Sequence, residues 1–183
     1  MVKTSDVVDS FRLRSAYSFS SVQCDLPPNV SKEIYEWGLK NIPDEYLDPD
    51  EKHARQEMDD VHITVKYGLF IVDPTEVRKH LYTQKPIEVT LGKISIFDGE
   101  ENDCVKIEVQ SDDLVKLNDM VKENFEHQNS FPTYIPHCTV AYVKKGLGSR
   151  FVGRDDFAGR KVVMTSVVFS GKDNRKTVMP LPT

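Results

Sequence analysis

The sequence has few cysteines and no excess of positive charge. Its three cysteines, Cys24, Cys104 and Cys138, cannot all pair within the chain, and no two form a Cys-x-x-Cys motif. Neither a disulfide framework nor a zinc site is therefore predicted, and we expect reduced thiols. Lys and Arg total 24 against 29 Asp and Glu, a net charge of −5. That balance argues against a protein that coats duplex DNA, whose affinity would need a strong positive excess.

Long apolar segments are missing as well. No run approaches the ~20 apolar residues that span a bilayer. The first 15 residues lack the apolar core of a signal peptide, and no glycine-rich phosphate loop follows a predicted strand. With 183 residues and 39% hydrophobic content, the chain is long enough to bury a core without disulfides or metal. We expect one soluble, cytoplasmic domain spanning residues 1–183, without a membrane partner.

Apolar periodicity predicts a mixture of strands and helices. Strands are predicted at 15–23, 61–67, 87–96, 105–109, 137–143, 161–170 and 177–181, and helices at 31–40, after an Asp73 cap and after an Asp112 cap. The charge-rich segment 48–60 and the acidic hairpin 98–103 are predicted to be solvated. Because many links between strands are short enough for hairpins, the predicted class is α+β with mainly antiparallel sheets.

One motif occurs twice. Residues 62–67 (HITVKY) and 137–142 (HCTVAY) share the pattern His-x-Thr-Val-x-Tyr, 75 positions apart, which indicates an internal duplication. Alternation along a strand places the His and Thr of each motif on one face and the Val and Tyr on the other. The motif tyrosines, Tyr67 and Tyr142, are therefore predicted to lie in the core or between lobes.

Two imidazoles flanked by two hydroxyls suit displacement at phosphorus. The reaction needs a base at the attacking oxygen and an acid at the leaving oxygen, and two histidines with a pKa near 6.5 can share these roles. Threonine hydroxyls can donate hydrogen bonds to the non-bridging oxygens. A zinc site is the competing hypothesis, but zinc normally takes three or four ligands that include Cys, Asp or Glu, and these faces carry Thr instead.

The doublet resembles the signature of the 2H phosphoesterase superfamily, carried here by His62-Ile63-Thr64-Val65 and His137-Cys138-Thr139-Val140. The resemblance implies a bilobal duplicated fold with flanking helices and an active cleft between the lobes. It also implies metal-independent, cofactor-free hydrolysis of RNA-type phosphodiesters: 2′,3′-cyclic phosphates, 2′-5′ oligomers, RNA ends or the cyclic messengers cut by phage anti-CBASS nucleases. By this resemblance His62, Thr64, His137 and Thr139 are catalytic.

Further residues are candidates for substrate binding. Lys66 has the parity of His62 and either faces the phosphate or lies exposed at the strand end. Tyr134 either stacks on a base or anchors the loop before the second motif. Tyr17 either lines the site or packs in the core. A basic, glycine-containing segment, 144–161, either attracts a polyanion or is a solvated loop.

Several alternatives stay open from the sequence. The chain is predicted to be a hydrolase; the alternatives are a non-catalytic RNA-binding module on the same fold and an RNA ligase. The predicted partner is a small nucleotide or short oligonucleotide rather than duplex DNA, and a monomer is expected. The sequence leaves open which phosphodiester is the substrate and which histidine is the acid.

Overall fold

The computed structural model describes residues 18–128 and 133–183 and contains eight strands and three α-helices within these ranges. In chain order they are β1 (Ser20–Asp25), α1 (Pro28–Asn41), β2 (His62–Leu69), α2 (Pro74–Arg78), β3 (Ile87–Asp98), β4 (Asn102–Gln110), α3 (Asp112–Asn124), β5 (His137–Lys144), β6 (Lys161–Met164), β7 (Ser166–Ser170) and β8 (Lys176–Pro180). Three single 3₁₀ turns lie at Asp44–Tyr46, Met58–Asp60 and Gly148–Phe151.

All eight strands form one antiparallel sheet in the order β6-β3-β4-β5-β2-β1-β7-β8. The two motif strands, β2 and β5, are neighbours at its centre and pair at Ile63 and Cys138. Each has its own partner on the outer side, β1 for β2 and β4 for β5. The prediction of an α+β fold with antiparallel pairing is confirmed.

The halves of the sheet are built alike around the motif strands. In one half the chain runs β1-α1-β2, and in the other it runs β4-α3-β5, each with a helix linking two antiparallel neighbours. The apolar stripes of both helices are buried: Val30, Ile34 and Trp37 on α1, and Leu114, Leu117 and Val121 on α3. The helices therefore seal one face of the central strands and leave the other face for polar side chains.

Both motif strands contain a β-bulge at the same motif position. On β2 the residues Thr64 and Lys66 pair with consecutive residues of β1, so that Val65 is left over. On β5 the residues Thr139 and Ala141 pair with consecutive residues of β4, so that Val140 is left over. An extra residue in one strand breaks the simple alternation of side chains beyond it.

The helices α3 and α1 contact the two bulges on the face of the sheet that they cover. Asn118 of α3 is buried and donates a hydrogen bond from Nδ2 to the Val65 carbonyl, at 2.7 Å. Gly38 of α1 lies so close to the other bulge that a Cβ there would be 3.2 Å from Cγ1 of Val140. The bulges are thus fixed by tertiary packing that each helix makes with a motif strand.

The predicted closing strand 161–170 is two strands that pair in different places. β6 pairs with β3 at one end of the sheet order, and β7 pairs with β1 near the other end, although only Thr165 separates them. One residue spans at most ~3.6 Å. The sheet must therefore curl until its two ends approach each other.

Other local predictions need correction. Ser111, not Asp112, is the N-cap of α3, and its Oγ accepts from the Leu114 amide because the helix begins one residue earlier than predicted. Asp73 caps α2 as predicted. In the acidic hairpin Asp103 is 1% exposed, because its carboxylate accepts hydrogen bonds from the amides of Gly146 and Gly148.

Residues 18–128 and 133–183 contain no helix that is long and apolar enough to cross a bilayer.

We predict that Asn118→Ala lowers the free energy of unfolding by about 1–3 kcal/mol, because the buried Val65 carbonyl loses its side-chain donor. Urea unfolding of the variant and the wild type measures the difference. Lys116→Ala, an exposed position on the same helix, is the control and should have little effect. Equal stability of Asn118→Ala and the wild type would show that the bulge does not need this contact.

Candidate functional site

The pairing of Ile63 with Cys138 brings the two motifs together side by side. In an antiparallel register around this pair, His62 lies opposite Thr139, and Thr64 lies opposite His137. All four side chains share the face that the helices leave open. The two imidazoles occupy diagonal corners of this square, on the order of 7 Å apart at the backbone. The structure thus brings the four predicted catalytic residues into one cluster.

Both imidazoles are oriented by the same backbone contact. Nδ1 of His62 lies 2.6 Å from the carbonyl oxygen of Asp60, and Nδ1 of His137 lies 2.7 Å from that of Ile135, in each case two residues earlier. A carbonyl oxygen can only accept, so each Nδ1 carries the proton. Nε2 is then the nitrogen that accepts a proton in the neutral ring and donates one in the cation.

A cavity of about 300 Å³ opens over this cluster. Beyond the four residues of the square, its lining comes from β1 and the residue before it, from the segment before β2, from the motif tyrosines of β2 and β5, and from β7, β8 and the turn between them. These residues are Phe19, Ser21, Gln23, Glu51, His53, Gln56, Asp60, Tyr67, Tyr142, Ser170, Gly171, Asn174 and Lys176. Most of the lining side chains are polar, and the others are three aromatic rings and Gly171.

The motif tyrosines line this cavity, contrary to the prediction that they face the core. Tyr67 and Tyr142 follow the bulges at Val65 and Val140, which shift the alternation and turn both rings toward the histidine face. Tyr67 contacts Phe19 edge to face, with ring centroids 5.9 Å apart.

The segment 48–60 is largely a loop, as predicted, but it is not simply solvated, because part of it packs against β5. It lies along β5, where the amide of Gln56 donates to the Val140 carbonyl and the amide of Tyr142 donates to the Ala54 carbonyl. Arg55 is anchored by hydrogen bonds to the carbonyls of Gly38 and Ile42. Because the backbone of the segment 48–60 is held in this way, several polar side chains of the segment can line the cavity.

The surroundings of His62 are anionic. The Asp60 carboxylate lies 3.5 Å from Nδ1 of His62 and forms a salt bridge with Lys176. Burial raises the pKa of Asp60, but hydrogen bonds and charge from His62 and Lys176 outweigh this effect and hold the pKa well below its usual range. The Asp60 carboxylate is thus held ionised beside Nδ1 of His62, where it also pairs with Lys176.

The surroundings of His137 differ. Burial lowers the pKa of His137, the hydrogen bond to the Ile135 carbonyl opposes this shift, and the positive charges of Lys106 and His62 add to it. The ring also meets Phe97 edge to face, with centroids 4.8 Å apart. The balance favours a neutral ring.

The hydroxyl of Thr139 has its own neighbour. Sγ of Cys104 on β4 lies 3.7 Å from Oγ1 of Thr139. Cys104 is buried, and burial raises its pKa. The thiol is therefore neutral and contacts the threonine hydroxyl from the β4 side.

Lys66 and Tyr134, two of the three residues predicted to bind substrate, are not part of the cavity lining. Lys66 is not part of the cavity lining: past the bulge it pairs with the buried Val22, and its Nζ donates to the carbonyl of Gln128 at 3.2 Å. Tyr134 packs against the core and donates from its hydroxyl to the carbonyl of Thr64, at 3.0 Å, which matches the anchoring alternative. Tyr17 lies outside the described residues.

The basic segment 144–161 is occupied by local contacts. Arg154 pairs with Asp156 and lies over the Trp37 ring, Arg150 lies over the Tyr46 ring, and Arg160 pairs with Glu33. These contacts favour a structural role for the segment over attraction of a polyanion.

The sequence analysis missed Asp60, Gln23, Lys106 and Lys176. Asp60 could have been found, because it precedes His62 by two residues and its carbonyl oxygen contacts the His62 ring. Gln23 and Lys106 come from strands whose register with β2 and β5 no local pattern reveals, and Lys176 comes from β8, which pairs with β7.

Comparison with known proteins identifies a family. A family model described as the 2′-5′ RNA ligase superfamily matches residues 26–149. Similar solved structures include a phosphoesterase (TM-score 0.62, 18% identity, covering 90% of this chain and 95% of that one) and the protein TT0787 of Thermus thermophilus (TM-score 0.62, 14% identity, 88% and 94%). Another is E. coli LigT complexed with 3′-AMP (TM-score 0.60, 16% identity, 90% and 95%). No curated protein sequence matches the chain.

We predict that Asp60→Asn lowers stability at pH 7 and that the difference from wild type fades in acid. The folded-state pKa of Asp60 is depressed, whereas an unfolded Asp has a pKa of about 3.9. The carboxylate therefore stabilises the fold above about pH 4, and this contribution is lost as the pH falls through the folded-state pKa. Urea unfolding at several pH values between 7 and 3 measures it.

The control for this series is Asp59→Asn, at the exposed neighbouring position. A stability difference between Asp60→Asn and wild type that stays constant from pH 7 to pH 3 would contradict the assignment of an ionised Asp60 between His62 and Lys176.

Proposed function

The chain belongs to the 2′-5′ RNA ligase superfamily of 2H phosphoesterases, and from this premise we propose that it hydrolyses small RNA-type phosphodiesters without a metal. The observation that carries the proposal is the square formed by His62, Thr139, His137 and Thr64 on the floor of a polar cavity. Each imidazole is fixed through Nδ1, which leaves both Nε2 atoms for the substrate.

The proposed mechanism uses the two diagonals of the square. A phosphate seated over Ile63 and Cys138 has an imidazole on each of two opposite sides and a threonine hydroxyl on each of the other two. One neutral imidazole takes a proton from the attacking oxygen, and the other, as a cation, gives a proton to the leaving oxygen. The hydroxyls of Thr64 and Thr139 donate to the non-bridging oxygens, where negative charge must be stabilised.

The attacking oxygen defines the substrate class. Water is the nucleophile when a 2′,3′-cyclic phosphate is opened. The 2′-hydroxyl of the substrate itself is the nucleophile when a linear or cyclic oligonucleotide is cut, and the scissile phosphate then requires a ribose beside it. In both cases the two histidines exchange one proton each, and the net reaction needs neither a metal nor a redox partner.

The size of the cavity supports a small substrate. A volume of about 300 Å³ lies at the lower end of the range for small-molecule sites, which is about 300–1,000 Å³. E. coli LigT, a structural neighbour, has been solved with 3′-AMP, ATP and NADP⁺. We propose that this chain likewise holds one or two nucleotide units, with any longer oligonucleotide extending outside, and that it acts as a monomer.

A substrate panel tests the proposal. The purified protein is incubated with a 2′,3′-cyclic mononucleotide, a 2′-5′ oligomer, an RNA end and a cyclic oligonucleotide, each with and without EDTA, and products are identified by mass. We expect cleavage of at least one substrate at an equal rate in EDTA. A 2′-deoxy version of any oligonucleotide that is cut should be inert. Joined products would indicate a ligase, and binding without turnover of any substrate would indicate an RNA-binding module.

We predict that His62→Ala and His137→Ala each reduce kcat by about 10²–10⁴-fold, the usual contribution of general acid or base catalysis, while substrate binding is largely kept. Turnover on the best substrate and equilibrium binding of a non-cleavable analogue measure the two effects. His80→Ala, exposed and away from the cavity, is the matched control. Full activity in either motif variant would contradict the proposed acid–base pair.

A further inference from the structure

On the histidine face, the strands that flank the two motifs carry similar side chains opposite the histidines and different ones opposite the threonines. Opposite the two motif histidines lie Asp25 on β1 and Glu108 on β4, both acidic. Opposite the two motif threonines lie Gln23 and Lys106. One half therefore has a neutral amide where the other has an ammonium group.

The contacts of these two side chains differ accordingly. Gln23 donates from Nε2 to the Asp25 carboxylate at 2.7 Å. Lys106 is only 4% exposed, donates from Nζ to the Ser95 hydroxyl at 2.7 Å, and lies 4.3 Å from the centroid of the Phe97 ring. None of the salt bridges within residues 18–128 and 133–183 involves Lys106, and burial lowers the pKa of Lys106, a shift that the charge of Glu108 opposes.

A buried ammonium group without an ionic partner is costly unless its charge serves neighbouring groups. The hydroxyl of Ser95 and the face of Phe97 compensate part of that cost, the ring through a cation–π contact. The edge of the same Phe97 ring meets His137. Lys106 thus lies beside the second motif, next to Thr139 and one aromatic ring away from the imidazole.

We propose that Lys106 is a positioning residue that makes the two histidines inequivalent, so that His137 is the base and His62 is the acid. The assignment rests on the proposed function above and deepens it. Because the base meets the attacking oxygen, the nucleophile approaches from the His137 side, and the leaving group departs on the His62 side.

The other charges around the two rings support this direction. His137 faces Lys106 and Glu108 from β4, His62 from β2, and the thiol of Cys104 and the phenol of Tyr142 nearby. The positive charges of Lys106 and His62 add to burial in lowering the pKa of His137. At His62 the Asp60 carboxylate lies 3.5 Å from Nδ1 and pairs with Lys176, and Asp25 of β1 lies opposite His62 in the sheet. The two rings therefore have different charged neighbours, the ammonium group of Lys106 on the His137 side and the carboxylate of Asp60 beside His62.

The experiment is an NMR titration of the histidine rings in the substrate-free protein, with the signals assigned from the His62→Ala and His137→Ala variants. In the wild type we expect His137 to titrate below the ordinary histidine value of about 6.5. Lys106→Met removes the charge and keeps the length of the side chain, and we expect it to raise the pKa of His137 by about half a unit or more. Lys106→Arg keeps the charge and should leave the titration near that of the wild type.

A matched control is Lys93→Met, which removes a charge from an exposed position on β3 and should not move the His137 titration. A normal titration of His137 in the wild type would overturn the proposal, even if Lys106→Met fails to fold. An unchanged His137 titration in a folded Lys106→Met variant would overturn it as well.

Kinetics then separate this proposal from the proposed function. With any substrate that is cleaved, the acidic limb of the plot of kcat/KM against pH should move to higher pH in Lys106→Met, in parallel with the His137 titration. A limb that stays in place while the titration moves would assign the base to another group. Absence of turnover on every substrate would overturn the enzyme function while the titration still reports whether Lys106 acts on His137.

Discussion

The pairing of Ile63 with Cys138 is the contact on which the whole site depends. It pairs the inner strands of two half-sheets that are also linked by loops, by the contacts of α1 with β5 and of α3 with β2, and by the passage of the chain from β6 to β7. A single antiparallel pair at this point places each histidine opposite the threonine of the other motif. Because both paired side chains are fully buried, a slip of one residue would turn every motif side chain to the wrong face and expose the core.

A duplicated backbone does not by itself decide which histidine donates a proton and which one accepts it. Two equivalent histidines would share the roles of acid and base equally, whereas displacement at phosphorus needs one of each at the same moment. In this chain the carbonyl contacts to Nδ1 are the same for both rings, and the difference comes from the charges beyond them, Asp60 with Lys176 on one side and Lys106 on the other. The symmetry supplies the geometry, and the surrounding charges supply the direction.

The motif repeat and the apolar periodicity were enough to predict the fold class and the four clustered residues, because both depend on short-range pattern. The bulges at Val65 and Val140 were not predictable in this way. They arise from packing of α1 and α3 against the motif strands, and they turned Lys66 away from the cavity and Tyr67 and Tyr142 toward it. The same limit applies to 161–170, which is continuous in its apolar pattern but pairs at two distant places in the sheet.

The central claim is that both imidazoles face one phosphate from opposite sides. The most direct test is a crystal structure of the protein with a nucleoside vanadate, which imitates the trigonal bipyramidal transition state. We expect Nε2 of His62 and Nε2 of His137 each within hydrogen-bond distance of one of the two apical oxygens, and the hydroxyls of Thr64 and Thr139 on the equatorial oxygens. A vanadate held by only one histidine, or bound away from the square, would contradict the account.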